Sequence, residues 1–169
     1  MAVLDILTAS NPKLKRRAEK VTDFDAVQPL VDDLLETLYT TSNGVGLAAM
    51  QVGRLEAVVV IDISEERDQP LVLVNPVVEQ GQEKVMGQEG CLSVPDYYAD
   101  VERFSSVVVS AQDRNGNPIT IESDDFLAIV MQHEIDHLNG TLFIDHLSSL
   151  KRQMAMKKVK KYEKEFAAQ

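Results

Sequence analysis

The chain has 169 residues, of which 44% are hydrophobic and 26% are charged. These proportions are those of a globular protein, and the length predicts one domain spanning residues 1–169. A net charge of −10 argues against general nucleic-acid binding, and a single cysteine excludes an internal disulfide framework. No segment is both long and apolar enough to span a bilayer, so we expect no membrane association.

The charge of the chain is unevenly distributed. Between Leu147 and Gln169 there are seven basic and two acidic residues, which leaves the preceding part strongly acidic. At the N-terminal end the basic residues follow the apolar ones, the reverse of a secretory signal. Together with the free thiol, this order predicts a cytoplasmic protein.

The spacing of apolar residues predicts helices and strands in one α+β domain. In chain order these are a short basic helix at 11–19, an amphipathic helix at 25–41, strands at 57–63, 71–75, 106–112 and 118–122, and helices at 124–139 and 147–166. Asn115-Gly116, between the last two strands, is a strong hairpin signal. The helix at 124–139 is almost wholly apolar in its first half, which predicts that this half is buried.

The motif His133-Glu134-Ile135-Asp136-His137 lies on that apolar helix. His133 and His137 are one turn apart, so both imidazoles can reach one cation, and Glu134 can hold a water beside it. The pattern alone is only moderately specific, and two surface histidines would also produce it. The apolar helix favours a metal site, because polar groups at a core need partners.

A metal site of this kind needs a third protein ligand. The metzincin pattern continues correctly to Gly140, but its next histidine is replaced by Phe143, which excludes that class. Glu163 and Glu165 lie in the basic helix and are expected to face solvent. Cys91, in Glu-Gly-Cys-Leu-Ser, is a better candidate, although a lone free cysteine is more commonly a small buried hydrophobe.

A third segment, residues 44–51, reads Gly-Val-Gly-Leu-Ala-Ala-Met-Gln. Its glycines and alanines predict a tight loop where backbone and substrate approach closely, and it lacks the lysine of a nucleotide-binding loop. Gln51 is either a satisfied core amide or a donor aimed at an oxyanion.

These three segments together resemble a known family. Gly-Val-Gly-Leu-Ala-Ala-x-Gln (44–51), Glu-Gly-Cys-Leu-Ser (89–93) and Gln-His-Glu-x-Asp-His-Leu-x-Gly (132–140) are similar, in order and spacing, to the three signature motifs of peptide deformylase. The resemblance covers nearly the whole chain and is closest to the bacterial type with a C-terminal helix. It implies antiparallel or mixed sheets around a central metal-binding helix.

The resemblance implies a hydrolase that removes the N-formyl group from the N-terminal methionine of newly made polypeptides and releases formate. Cys91, His133 and His137 would bind one divalent metal ion per chain. Glu134 would be the acid/base. The side-chain amide of Gln51 and the backbone N–H of Leu92 would stabilise the oxyanion, at about 3 kcal/mol per donor.

The resemblance also implies an apolar pocket for the methionine side chain, lined by Val45, Phe126, Ile129 and Val130, with the backbone of Gly46 against the substrate. Helix spacing places the last three lining residues on the face of His133, although they would share that face as ordinary core residues too.

The sequence departs from the family pattern at Tyr97-Tyr98, where an arginine is common, so contacts beyond the first substrate residue stay unassigned. Arg103 is expected to pair with an acid such as Glu89, and His146 matches no ligand position.

The identity of the metal depends on which argument is followed. Two imidazoles and a thiolate suit zinc. The family resemblance instead implies Fe²⁺, with nickel, cobalt or zinc as substitutes, and the general affinity order of divalent metals does not decide between them. We expect Fe²⁺.

The C-terminal helix has two faces. Ala155, Val159, Tyr162 and Phe166 fall on one stripe, and the opposite face carries Lys157, Lys160, Lys161 and Lys164. The lysines are either a solvated surface or, as the resemblance implies, a ribosome-docking element that binds phosphates. The expected partners are therefore N-formylmethionyl peptides and the ribosome, for a protein that is otherwise a monomer.

Two other functions use the same residues. A zinc peptidase would take a carboxylate as its third ligand and keep its metal without Cys91. A non-catalytic, metal-stabilised binding module would have no use for Glu134 or Gln51.

Overall fold

The computed structural model describes residues 2–167. In this part of the chain, five strands form one antiparallel sheet in the order β1-β2-β3-β4-β5. The strands are β1 (Gly46–Ala48), β2 (Val58–Ile61), β3 (Leu71–Cys91), β4 (Val94–Gln112) and β5 (Pro118–Ser123), and the helices are α1 (Phe24–Thr40), α2 (Phe126–Leu138) and α3 (Ser149–Ala167). The predicted α+β class is confirmed.

Strand β2 shows how the core is divided. All four of its residues are buried, and they alternate between two apolar clusters. Val58 and Val60 pack with the buried face of α1, whereas Val59 and Ile61 pack with α2. Because successive strand residues point to opposite faces, α1 and α2 cover opposite sides of the sheet.

Helix α2 is largely buried, but its second half is buried more completely than the first half that the sequence predicts: Phe126 is exposed, and Leu127 and Ile129 are half-buried. The side chain of Asp125 caps its first turn by accepting from the Leu127 N–H. Nine of its thirteen residues are buried, including both histidines and Glu134. The helix ends at Leu138 and is followed by Gly140, whose φ of +75° suits glycine and where a Cβ would be 2.5 Å from the Lys15 carbonyl oxygen.

A third cluster attaches α3 to the sheet. Ala155 and Val159 are fully buried against Val94 and Val101 of β4 and against Phe143, which lies in a 3-10 turn after α2. All seven basic residues after Leu147 are exposed. Among the helices of residues 2–167, none is both long and apolar enough to cross a bilayer.

The structure corrects two local predictions. The helix expected at 11–19 is only a 3-10 turn, Pro12–Lys15, capped by Asn11, because the next N–H groups bond elsewhere: Ala18 donates to Leu138 and Glu19 to Leu55. The loop expected at 44–51 is instead the short strand β1 followed by a 3-10 turn, Ala49–Val52.

Strands β3 and β4 are far longer than predicted. They form one hairpin whose two-residue connection, Leu92-Ser93, comes directly after Cys91. This hairpin brings the cysteine motif to α2.

Candidate metal centre and active site

Helix α2 places two imidazoles and a carboxyl group in the interior. His133, Glu134 and His137 are 9%, 3% and 1% exposed. Their ligand-type atoms face the end of β3, where Cys91 stands at the edge of a cleft, partly exposed. The HExxH spacing and the cysteine motif, separated by about forty residues of sequence, therefore meet at one place.

Cys91, His133 and His137 form a compact donor set. One ligand atom from each lies within 4.8 Å of the others, and Cys91 Sγ is 3.4 Å from His137 Nε2. A thiolate and two imidazoles at this separation fit a four-coordinate transition-metal site with one open position. The lone cysteine is therefore placed as a ligand would be.

A buried ion pair fixes the orientation of His133. Glu89 Oε1 lies 2.9 Å from His133 Nδ1, and Arg103 binds both carboxylate oxygens of Glu89 in a fork, at 2.8 and 2.9 Å. Burial alone would raise the pKa of Glu89, but the hydrogen bonds from Arg103 and His133 outweigh it and hold the pKa at about 2. An ionised Glu89 accepts the Nδ1 proton and leaves Nε2 free to bind a cation.

The two histidines have opposite electrostatic tendencies. Burial, with the nearby charges of His133 and Arg103, lowers the pKa of His137 well below its usual value. Burial also opposes the charged form of His133, yet hydrogen bonds to Cys91 and Glu89 raise its pKa well above the usual value. A site that attracts a proton against the cost of burial also attracts a metal cation.

Glu134 is a buried carboxyl group with unused hydrogen-bonding capacity. Burial raises its pKa to about 7, and its Oε1 has no hydrogen-bond partner among the described residues. The backbone of Gly46 lies against it, so that a Cβ at position 46 would be 2.5 Å from Glu134 Oε2. Only glycine leaves room for the carboxyl group in this position.

Gln51 lies beside the same sulfur. Its Oε1 accepts from the Ala48 N–H at 2.9 Å, which turns the amide nitrogen toward Ser93 Oγ at 3.0 Å and Cys91 Sγ at 3.6 Å. Leu92 follows the cysteine in the β3–β4 connection. Both expected oxyanion donors are thus at the candidate metal centre.

A cleft of about 490 Å³ opens onto part of this site. All five residues expected to contact substrate line it: Val45, Gly46, Phe126, Ile129 and Val130. Cys91, Leu92, His133 and Glu134 line the same cleft. Phe126 is 55% exposed, so it is a rim residue rather than core.

Several neighbours of the site were not predicted from the sequence. The Ser93 hydroxyl oxygen accepts a hydrogen bond from the side-chain amide of Gln51. The Asp136 carboxylate accepts from both Arg103 and His146. Tyr162 of α3 also lines the cleft. The predicted Arg103–Glu89 pair is confirmed. Glu163 is no ligand, since its carboxylate accepts from the hydroxyls of Thr8 and Ser10.

Comparisons with known proteins point in one direction. The family model described as polypeptide deformylase matches residues 3–153. The chain is 73% identical over 164 residues to peptide deformylase 2 of Vibrio parahaemolyticus, covering 97% of this chain and 98% of that one. The crystal structure of a peptide deformylase from Legionella pneumophila superposes with a TM-score of 0.94 at 41% identity, covering 99% of both chains. The actinonin complex of the Ehrlichia chaffeensis peptide deformylase gives 0.91 at 42% identity, covering 96% of this chain and 99% of that one.

The raised pKa of Glu134 predicts how the stability of metal-depleted protein depends on pH. The folded state holds this proton up to about pH 7, whereas the unfolded value is 4.5, so stability is lost as pH rises through this window. Glu134→Gln should remove that loss, which is roughly 3 kcal/mol at 1.36 kcal/mol per unit. Urea unfolding at about pH 5 and about pH 8 measures the difference.

The matched control is Glu165→Gln, at an exposed position of α3. This substitution should change the free energy of unfolding only slightly, and by the same amount at both pH values. A Glu134→Gln variant that behaved like this control would show that the carboxyl group ionises normally in the folded protein.

Proposed function

The chain belongs to the polypeptide deformylase family, and we propose that Cys91, His133 and His137 bind the metal of this enzyme while Glu134 carries its proton. The family's enzymes are metal-dependent hydrolases that remove the N-formyl group from the N-terminal methionine of nascent peptides and release formate. The single observation that carries the residue assignment is the convergence of three ligand-type atoms within 4.8 Å beside the buried Glu134.

The donor set supports the metal assignment. When bound, a divalent cation supplies a Lewis acid that polarises a carbonyl oxygen and lowers the pKa of water toward ~7. The lowered pKa of His137 keeps its imidazole neutral, as ligation requires. Glu89 orients the His133 ring through Nδ1, and the raised pKa of His133 means that metal binding there would release a proton from Nε2.

Glu134 is suited to moving a proton rather than to binding the metal. In the metal-free protein burial raises the pKa of this carboxyl group to about 7. A buried carboxyl group with one oxygen free of partners among the described residues, beside the donor set, is placed to exchange a proton with a water at the metal. It takes a proton from the attacking water and later gives it to the departing amine nitrogen of the methionine. Gly46 leaves room for the carboxyl group beside the candidate metal centre, where a Cβ would be 2.5 Å from its Oε2.

Gln51 and Leu92 are proposed to stabilise the developing charge on the formyl oxygen. The Gln51 amide is held by the Ala48 N–H and points its nitrogen to the metal centre. Because such donors are already oriented, they need little reorganisation when charge develops on the formyl oxygen. Each donor stabilises the transition state by about 3 kcal/mol. The backbone N–H of Leu92, in the motif that contains Cys91, would donate to the same oxygen.

The cleft supports recognition of formylmethionine. We propose that Val45, Phe126, Ile129 and Val130 surround the methionine side chain, and that the Gly46 backbone contacts the substrate. Three of these residues come from α2, the helix that carries the histidines. The side chain is therefore recognised at a fixed distance from the reacting groups.

We propose Fe²⁺ as the native metal, with Zn²⁺, Ni²⁺ and Co²⁺ as substitutes. The thiolate-imidazole set accepts all four, so the choice rests on the family resemblance rather than on ligand chemistry. A zinc peptidase with a carboxylate third ligand is disfavoured, because the donor set in the described residues is completed by Cys91. A purely structural metal site does not account for the buried carboxyl group of Glu134.

The cellular setting is proposed from charge and packing. We infer one domain over residues 1–169, because α3 shares its apolar cluster with β4. We further propose a cytoplasmic monomer that docks on the ribosome through the exposed lysines of α3. Removing α3 would uncover Val94 and Phe143, so substitutions of its lysines test docking more cleanly than truncation does.

Substituting Glu134 and Cys91 should separate proton transfer from metal binding. Glu134→Ala should keep its metal and lose about 10²- to 10⁴-fold in formate release, because the proton carrier is gone and the ligands remain. Cys91→Ser should instead lose metal or bind it more weakly. Metal content and formate release are measured on the same samples, and metal retained with full activity in Cys91→Ser would place the third ligand elsewhere.

The metal identity predicts sensitivity to oxygen. A thiolate beside Fe²⁺ with an open position is prone to oxidation, so activity of the anaerobically purified iron form should decay in air. The nickel-substituted form should persist under the same exposure. Metal analysis before and after exposure accompanies the assay, and equal decay of both forms would argue against iron as the labile component.

The lysine face predicts salt-dependent ribosome binding. Replacing Lys157, Lys161 and Lys164 with Gln should weaken co-sedimentation with ribosomes and reduce the slope of log affinity against log salt by about 2 to 3. The matched control replaces three basic residues at the other end of the chain, Lys13, Arg17 and Lys20, all exposed. If the lysine-face variant and the control variant bind ribosomes equally well, the lysine face is only a solvated surface.

A further inference from the structure

The third histidine of the chain lies outside the candidate metal centre but is connected to it. His146 ends the 3-10 turn Phe143–His146, and its Nε2 lies 2.8 Å from Asp136 Oδ2. Asp136 is the α2 residue directly before His137. Because a carboxylate paired with an arginine only accepts hydrogen bonds, the Nε2 atom of His146 carries a hydrogen and donates it to Asp136. The proposed proton transfer does not involve this histidine.

A chain of hydrogen bonds runs from His146 to the other histidine of the donor set. The Asp136 oxygen that accepts from His146 also accepts from Arg103 Nη1. Arg103 holds Glu89 through Nε and Nη2, and Glu89 Oε1 lies 2.9 Å from His133 Nδ1. Along this chain every donor faces an acceptor, so each group restricts where its neighbour can lie. The orientation of the His133 ring is therefore linked to the position of His146.

This chain is buried at one end and reaches solvent at the other. The side chains of Arg103 and Glu89 are 5% and 6% exposed, whereas those of Asp136 and His146 are 26% and 39% exposed. The exposed end opens into a second cavity, of about 430 Å³. An ion pair that reaches solvent is held weakly by charge alone, so Asp136 could turn away from Arg103 toward water. His146 opposes this rotation, because it binds the same carboxylate oxygen from a different element of the structure.

The turn that carries His146 is itself fixed against the candidate metal centre. Phe143, its first residue, is 1% exposed, and its ring centroid lies 6.1 Å from that of His133, with the two rings stacked. The Asp145 side chain closes the turn by accepting from the Leu142 N–H at 2.8 Å. The turn therefore presents His146 to α2 from a fixed base.

We propose that His146 is a positioning residue of the metal centre. It holds Asp136 against Arg103, and the fork between Arg103 and Glu89 then keeps the His133 ring in the orientation that leaves Nε2 for a metal. This inference rests on the proposed assignment of the metal ligands. Partners that touch a metal ligand typically change its metal affinity by roughly 10- to 100-fold. Because His146 acts from further along the chain, its effect should be smaller.

The test compares Co²⁺ binding by the native protein with binding by His146→Ala and His146→Gln. Competition with a chelator measures the affinity, and the visible absorption of bound Co²⁺ reports the geometry of its ligands. His146→Ala should weaken the affinity by about three- to tenfold and shift the absorption bands, because Asp136 loses its outer donor. His146→Gln should restore both, since its side-chain amide can still donate to the carboxylate. A role in stability alone would move neither readout.

Substitution of Asp136 tests the route of the effect. If His146 acts through Asp136, adding His146→Ala to Asp136→Asn should change the Co²⁺ affinity no further. The matched control is Arg152→Gln, which removes a 3.7 Å contact between an exposed side chain and Asp145 of the same turn. This control should keep the native affinity and absorption.

Three results would count against the account, each at a different level. Native affinity and absorption in His146→Ala would overturn the positioning role. Additive losses of affinity in the double variant would overturn the route through Asp136. A native protein that bound no Co²⁺ would instead defeat the proposed metal site itself, so the two kinds of failure are distinguishable.

Discussion

The buried pairing of Arg103 with Glu89 is the interaction on which the site depends. It connects β4 to β3, and through the Glu89 contact with His133 it connects both strands to α2. A buried carboxylate with one partner missing is strongly destabilising, typically by about 3–5 kcal/mol, so the three elements are held in a single arrangement. Arg103 also binds Asp136, between the two histidines. The same charges thus align the hairpin that carries Cys91 with the helix that carries the other ligands.

This arrangement explains how one protein keeps several polar groups in its interior. Gln132 on α2 exchanges two hydrogen bonds with the backbone of Phe104, which secures the helix to β4 directly before His133. In the described residues three buried side-chain atoms lack a hydrogen-bond partner: Glu134 Oε1 and His137 Nδ1 lie at the proposed chemistry, and Glu36 Oε2 lies on α1. Buried groups without partners are costly, so the two at the candidate metal centre indicate that function, rather than stability, keeps them there.

Much of the site could be predicted from the sequence, because it is encoded by local spacing. The helical separation of His133 and His137, the apolar run before them and the lone Cys91 were enough to propose a metal centre, and the order of three motifs was enough to indicate the family. The extent of β3 could not be predicted in the same way. Its polar, glycine-containing stretch from 79 to 90 has no alternating pattern and becomes a strand only by pairing with β4. Tyr162 lies in the cleft because of how α3 packs on β4, which its helical periodicity does not reveal.

The central claim is that Cys91, His133 and His137 together hold one divalent metal ion. X-ray absorption at the metal edge of the anaerobically purified protein tests it most directly. The account predicts one sulfur and two imidazole nitrogens in the coordination shell, with the sulfur lost in Cys91→Ser while the imidazoles remain. A shell of oxygen and nitrogen alone in the native protein, or a sulfur that persisted in Cys91→Ser, would contradict it.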